Sequence, residues 1–292
     1  MPPPGVRRRV VRDVLNLFKL RIGVAIALAA LAGLVVERGA ALAAWQVATL
    51  VLAVLVSSAA AGAFNQYVER DIDVRMARTR NRPFVTGRLP HHPAWLWLIG
   101  AMIAAAVLAA TVATNAVAAL HVFLGAFTYG VVYTVWLKRR TWWNIVVGGL
   151  AGSFAVLAGA AAVTPMPGPE AFALAVVLFL WTPPHFWSLA IACRDDYAAA
   201  GVPMLPVVVG DRRAARAIFA GAVLLVGASV VPAAFGLGWI YLAAALSGGA
   251  WFLLKCRSLL ERPGRETARA SFRASLVQLC AVLIGALLDV AL

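Results

Sequence analysis

The chain has 292 residues, of which 63% are hydrophobic and 13% charged, with a mean hydropathy of +0.86. That apolar share excludes an ordinary soluble or disordered protein and makes lipid the solvent for most of the chain. The formal charge of +14 would point to nucleic acid in a soluble protein, but in a membrane chain the placement of basic residues decides their meaning.

A hydrocarbon core of about 30 Å needs roughly 20 apolar residues per helix, and about nine such stretches run almost back to back. They fall at roughly 22–36, 44–64, 93–113, 116–136, 143–163, 171–193, 217–235, 238–254 and 272–291. Before the first lie Arg7, Arg8, Arg9, Arg12, Lys19 and Arg21, without a cleavage site, so this reads as a first span and not a removable signal. After the second span come Arg70, Arg75, Arg78, Arg80, Arg82 and Arg88, and after the fourth Lys138, Arg139 and Arg140. Arg194, Arg212, Arg213 and Arg216 follow the sixth, and Lys255, Arg257, Arg262, Arg265, Arg269 and Arg273 surround the connection after the eighth. Only Arg38 falls on the other side. The positive-inside rule gives this alternation for an odd number of spans with the N-terminus cytoplasmic and the C-terminus outside.

The expected architecture is an all-α integral membrane bundle of about nine transmembrane helices, a single domain over 1–292. Cys193, Cys256 and Cys280 have neither disulfide-framework nor zinc spacing and read as packing residues. Trp45, Trp95, Trp97, Trp142, Trp143, Trp239 and Trp251 lie near span ends, where amphipathic rings favour the interface.

Two inside segments, at about 65–92 and 194–216, carry more acid than a connector needs. If the second helix continues inward, Asn65, Glu69 and Asp73 recur every fourth residue and share one face. Carboxylate and amide oxygens on one face suit Mg²⁺, which takes oxygen ligands and commonly bridges to phosphate. Arg78 and Arg82 are again four apart, and guanidinium forks match phosphate oxygens. Acid, metal and Arg together describe a diphosphate cradle; a solvated mixed-charge loop is the competing reading. Asp195 and Asp196 open the second segment, where one of the two would face the site, with Asp196 favoured over a plain helix-end acidic cluster.

His185 lies about two turns from the inner end of the sixth span, after the helix-interrupting Pro183 and Pro184. An imidazole at that depth reads as an iron ligand, a proton acceptor or a buried hydrogen-bond partner. His121 reads as structural, and His91 and His92 as solvated. Tyr129, Tyr133, Phe186 and Trp187 read either as ordinary packing or as the lining of an apolar channel that shields a carbocation with its π faces. Lys138, Arg139 and Arg140 either hold anionic groups or simply obey the topology rule.

Taken in order, several motifs resemble the UbiA-type intramembrane prenyltransferases, and within them the heme-modifying branch. They are Asn65, Glu69, Arg70, Asp71, Asp73, Met76, Arg78, Thr79, Arg82 and Pro83; Tyr133, Trp136, Lys138 and Arg139; Asn144, Gly148 and Gly149; Trp181 through Trp187; and Asp196, Tyr197 and Gly201 through Pro206. They span about residues 60 to 210. The resemblance implies transfer of a farnesyl group from farnesyl diphosphate to a vinyl group of heme B, with water, giving heme O and diphosphate. It also implies Mg²⁺ held through Asn65, Glu69, Asp73 and Asp196, with Arg78, Arg82 and His185 catalytic. Lys138, Arg139, Tyr133, Asp195 and Tyr197 would bind substrate. A cell inner membrane location with the site on the cytoplasmic face, and a heme A synthase or terminal oxidase as recipient of the product, belong to the same expectation; nucleic acid does not. The family's second acidic motif has two Asp four apart, whereas here Ala192 stands four before Asp196.

Other readings make different demands. A prenyltransferase for an aromatic acid or quinone precursor would share the cradle without needing His185. A CDP-alcohol phosphatidyltransferase would need an Asp-rich signature that this chain lacks. A transporter predicts ionisable groups near the membrane midplane and paired broken helices, whereas here they gather at span ends. A structural role in oxidase assembly would need none of the cradle.

Overall fold

The structure is a computed structural model that describes residues 4–292, with side chains from residue 11 onward. Arg7, Arg8 and Arg9 therefore lie outside the described side chains. Among the described residues all regular structure is helical.

The elements are α1 (Pro4–Leu17), α2 (Leu20–Val36), α3 (Ala44–Val68), α4 (Arg70–Asp73), α5 (Ala94–Ala113) and α6 (Ala116–Phe127), which runs on as a π-helical segment (Thr128–Leu137). After these come α7 (Asn144–Gly148), α8 (Leu150–Val163), α9 (Pro169–Ala192), α10 (Arg194–Ala199), α11 (Leu205–Val209), α12 (Asp211–Ala228), α13 (Val231–Ala234), α14 (Trp239–Glu261) and α15 (Arg265–Ala291). Among the described residues eight helices are long and apolar enough to cross a membrane. A ninth span is a bent pair, residues 11–17 with α2, meeting at 45°. The apolar run at 22–36 is thus shorter than a full span because the helix turns sharply before it. Lys19 sits at the bend with φ +48°, a left-handed conformation that side chains other than Gly, Asn and Asp seldom adopt.

Helices adjacent in sequence pack side by side, α2 on α3, α3 on α5, α5 on α6, α6 on α8, α8 on α9, α9 on α12, α12 on α14 and α14 on α15. The last, α15, returns to α2 and closes the ring. Lipid supplies no hydrophobic drive between helices, so close packing of small residues does the work. At the α2–α8 crossing a Cβ added at Gly33 would fall on the Val156 carbonyl, and one at Gly159 on the Ala30 carbonyl. The core is accordingly rich in alanine, including Ala27, Ala29, Ala30, Ala158, Ala160 and Ala161.

Two features of the fold position the site. The connection after α4 is pinned by Phe84, which is buried and meets the rings of Tyr67, His91 and Trp95 edge-on at 5.5–5.7 Å. His91 is exposed, as its place in the connection predicts, and stacks on Tyr67 at 4.0 Å. The π-helical segment shows an i to i−5 bond from Lys138 N to Tyr133 O (2.9 Å). At about 100° per residue an α-helix would put positions 129 and 138 on opposite sides, and the wider π turn brings them to the same one.

Candidate active site

Asn65, Glu69 and Asp73 converge as their spacing predicts, although α3 does not continue smoothly. The helix breaks at Glu69 (φ −89°, ψ 11°), yet Glu69 N still donates to Asn65 O (3.0 Å) and Asp73 N to Glu69 O (2.8 Å). The three-residue face survives the break. All three side chains are buried, Asp73 completely.

Burying two carboxylates side by side requires compensation, and three cations supply it. Lys138 Nζ donates to Glu69 Oε1 at 2.5 Å. Arg82 Nη1 donates to Asp73 Oδ2 at 2.5 Å and lies 4.0 Å from Glu69 Oε2. Lys19 Nζ donates to Asn65 Oδ1 (2.7 Å) and to the Tyr129 hydroxyl (3.0 Å). Thr134 completes the floor by accepting from Asn65 Nδ2 at 3.1 Å. Asp73 Oδ1 is buried without a partner, and burial pushes the Asp73 carboxyl above its ordinary pKa despite Arg82. A buried carboxylate oxygen left open beside Glu69 and Asn65 is the donor set a hard, oxygen-seeking cation takes. No cluster of three His, Cys, Asp or Glu with metal-holding geometry occurs among the described residues, so the protein alone does not form a closed cage. That is the normal situation for Mg²⁺ shared with phosphate oxygens.

The second segment reaches the first. Asp196 Oδ1 accepts from Ala77 N (3.1 Å) and Oδ2 from Arg78 N (3.4 Å). Arg78 Nη2 donates to the Tyr197 hydroxyl at 3.3 Å, and its guanidinium lies 5.8 Å from that ring's centre. Tyr197 is buried, which raises its phenol pKa. Gly201 (φ +69°) makes the turn that lets Val202 N return to Tyr197 O at 2.9 Å. Asp196 therefore fastens the two loops together through backbone N–H groups, with both carboxylate oxygens engaged. Asp195 is exposed and makes no side-chain hydrogen bond among the described residues.

The remaining expected residues divide by position. Tyr133 stacks on Tyr129 (5.6 Å), and Lys138 Nζ lies 5.6 Å from the Tyr133 ring centre, so both edge the cluster. Arg139 grips Asp71 through two bonds of 2.7 and 2.8 Å at the exposed rim, which lowers the Asp71 pKa. His185 is not in the acid–arginine cluster; it is buried where α9 meets α15, with Nδ1 2.6 Å from Ser275 Oγ. Lys19 is the site residue that sequence reasoning missed. Its position among the basic residues before the first span gives it the same appearance as a topology charge.

Residues 26–277 match the UbiA prenyltransferase family. The chain is 58% identical over 274 residues to protoheme IX farnesyltransferase 2 of Paramagnetospirillum magneticum, covering 94% of this chain and 95% of that one. It is 44% identical over 236 residues to protoheme IX farnesyltransferase of Gloeobacter violaceus, covering 80% and 77% respectively. Among solved structures, a digeranylgeranylglyceryl phosphate synthase superposes with a TM-score of 0.75 at 17% identity, over 94% of this chain and 98% of that one. A UbiA homologue from Archaeoglobus fulgidus bound to DMAPP and Mg²⁺ superposes with a TM-score of 0.73 at 16% identity, over 92% and 99%. The ring of apolar helices, the acid–arginine cluster at one end of it and the match over 26–277 agree: this chain belongs to the UbiA prenyltransferase family.

Proposed function

We propose that the chain transfers a farnesyl group from farnesyl diphosphate to a vinyl group of heme B, with addition of water, to give heme O and diphosphate. The observation that carries this reading is the buried Asn65–Glu69–Asp73 face ringed by Lys19, Arg82 and Lys138, in a chain 58% identical to a protoheme IX farnesyltransferase.

Mg²⁺ fits the open oxygen of Asp73 together with Glu69 and Asn65, and Asp196 could join from the second loop by releasing Ala77 and Arg78. When bound it would supply positive charge to the leaving diphosphate. The chain's own residues do the rest. Arg82 and Lys138 are poised to turn from the carboxylates, and Lys19 from the Asn65 amide oxygen and the Tyr129 hydroxyl, toward phosphate oxygens, and Arg78 joins them from the loop that Asp196 fixes. These preplaced cations stabilise the charge that develops as the allylic C–O bond breaks. The stacked faces of Tyr129 and Tyr133 lie beside the cluster and can shelter a cation from water. The vinyl carbon attacks the allylic carbon, and water captures the resulting porphyrin-side cation with loss of a proton. Arg139 at the exposed rim is placed for the anionic propionates of the porphyrin once it leaves Asp71.

The one-sided distribution of Arg and Lys supports a cytoplasmic-face site in a cell inner membrane. Delivery of the product to a heme A synthase or terminal oxidase belongs to the same proposal. The test is acceptor-dependent release of diphosphate from farnesyl diphosphate by the purified protein in lipid. Release that requires heme B supports the reading. Release driven instead by an aromatic acid keeps the prenyltransferase chemistry and overturns the acceptor.

A further inference from the structure

The bend between α1 and α2 encloses a cavity outside the acid–arginine cluster. The helices meet at 45°, and the cavity of about 990 Å³ in the elbow is lined by the apolar Val11, Leu15, Leu20 and Ile22 and by the basic Arg12 and Arg21, with Asn16 and Lys19 completing the wall. Val11, Leu15 and Ile22 are each at least half exposed, so no other described part of the protein covers them. Arg12 and Arg21 are exposed as well, and neither makes a side-chain hydrogen bond or an ion pair among the described residues. No acidic side chain lines the cavity; Asp13, the acid on α1, is held elsewhere by Arg88 Nε at 2.7 Å.

The other side of α1 is firmly docked. Leu17 is fully buried, and Gln66 Nε2 on α3 donates to the Asn16 and Leu17 carbonyls at 3.0 Å each. On the open side Val11 and Leu15 lie one turn apart, as Arg12 and Asn16 do, so an apolar row runs beside a polar one. Such a segment at a membrane boundary sets its apolar row against acyl chains and its basic row among headgroups. A soluble anion would leave Val11, Leu15 and Ile22 uncovered, and a lipid without net charge would leave two guanidinium charges uncompensated. Basic residues that only orient the chain need no cavity between them. We propose that the elbow binds an anionic phospholipid, its headgroup phosphate held by Arg12 and Arg21 and its chains laid against Val11, Leu15, Leu20 and Ile22.

Lys19 links this seat to the cluster. It has φ +48°, and its side chain crosses α3 at Gly62, where an added Cβ would lie 3.4 Å from Lys19 Cδ, to reach Asn65 Oδ1 at 2.7 Å and the Tyr129 hydroxyl at 3.0 Å. A left-handed lysine persists only where its surroundings hold it. A lipid in the elbow bridges α1 and α2 on their open side and so holds the bend that carries Lys19 to Asn65. The lipid positions; it is not consumed.

Full-length protein in phosphatidylcholine nanodiscs with added phosphatidylglycerol tests this, by native mass spectrometry of the retained lipid and by amide hydrogen exchange. Phosphatidylglycerol should be retained over phosphatidylcholine by about tenfold or more, and the preference should fall about fivefold for each of Arg12→Gln and Arg21→Gln. Both arginines are exposed and unpaired among the described residues, so these variants should fold as the wild type does. The amides of Ile22 and Gly23, which donate to Lys19 O at 2.8 and 3.2 Å, should exchange about fivefold more slowly with phosphatidylglycerol than in phosphatidylcholine alone. Equal retention of the two lipids, an unchanged preference in the double variant, or displacement of phosphatidylglycerol by inorganic phosphate overturns the lipid site. Exchange at Ile22 and Gly23 that ignores phosphatidylglycerol overturns its hold on the elbow. Neither readout involves farnesyl transfer, so both outcomes are separate from that of the proposed reaction.

Discussion

Replacing Asp73 with Asn should separate what this carboxylate does for folding from what it does for chemistry. Asp73 is fully buried; one oxygen meets Arg82 at 2.5 Å and the other has no partner. Charge-assisted hydrogen bonds contribute about 1.5–3 kcal/mol, and the cost of desolvating a buried carboxylate is several kcal/mol. Arg82 is not stranded by the change, because its side chain is 19% exposed and Glu69 lies 4.0 Å away. The two contributions oppose each other, so stability should change by no more than about 1 kcal/mol. The pH dependence carries the same sign. Burial raises the folded pKa of Asp73 above its unfolded value, so its contribution to stability is most favourable below the unfolded pKa and is lost as pH rises through the folded one. Asn, which does not titrate, should remove this pH dependence. Turnover should behave differently, since the proposed function gives the open oxygen to the metal that would hold the diphosphate; its loss should lower kcat by on the order of 10²–10³. Thermal unfolding in lipid and turnover on the same preparation are the assays. Turnover within about threefold of wild type in a folded Asp73→Asn protein would refute the reasoning.

Lys138→Ala should destabilise the fold by about 3–5 kcal/mol, because Glu69 would be left buried without its 2.5 Å partner; a Glu69→Gln, Lys138→Met pair should recover the thermal midpoint but not the activity. Asp196→Ala should raise amide hydrogen exchange at Ala77 and Arg78 by about tenfold or more, since two bonds to a charged acceptor hold those N–H groups; unchanged exchange would show that the loop is fastened elsewhere. Arg139→Gln should change stability by less than about 1 kcal/mol because its pair with Asp71 is at the exposed rim, which denaturant titration checks. Chelation of divalent cations should abolish turnover while leaving circular dichroism unchanged, as no closed protein cage depends on the metal among the described residues.

Apolar run length and the alternation of basic residues made the bundle legible in the sequence, because lipid leaves few structures open to a chain of this composition. The Asn65, Glu69 and Asp73 face was equally legible, since four-residue spacing survives a local break that keeps its i to i−4 bonds. The bend at Lys19 was not. It depends on one residue adopting a left-handed conformation that no glycine announces, and the result turns a topology charge into a partner of Asn65. The π-helical segment was hidden for a similar reason, as α-helical periodicity sends Tyr129 and Lys138 to opposite sides. The pairing of His185 with Ser275 joins helices 90 residues apart, and only packing of α9 on α15 brings them together. Asp196 was placed near the cradle from its sequence, but its hold on the backbone N–H groups of the first loop required the structure.

The most direct test is mass spectrometry of the porphyrin after purified protein in lipid is incubated with heme B, farnesyl diphosphate and Mg²⁺, with and without chelator. The account predicts a hydroxyethylfarnesyl porphyrin that forms with Mg²⁺ and not with chelator. Unmodified heme B from a folded preparation that retains Mg²⁺ would contradict it.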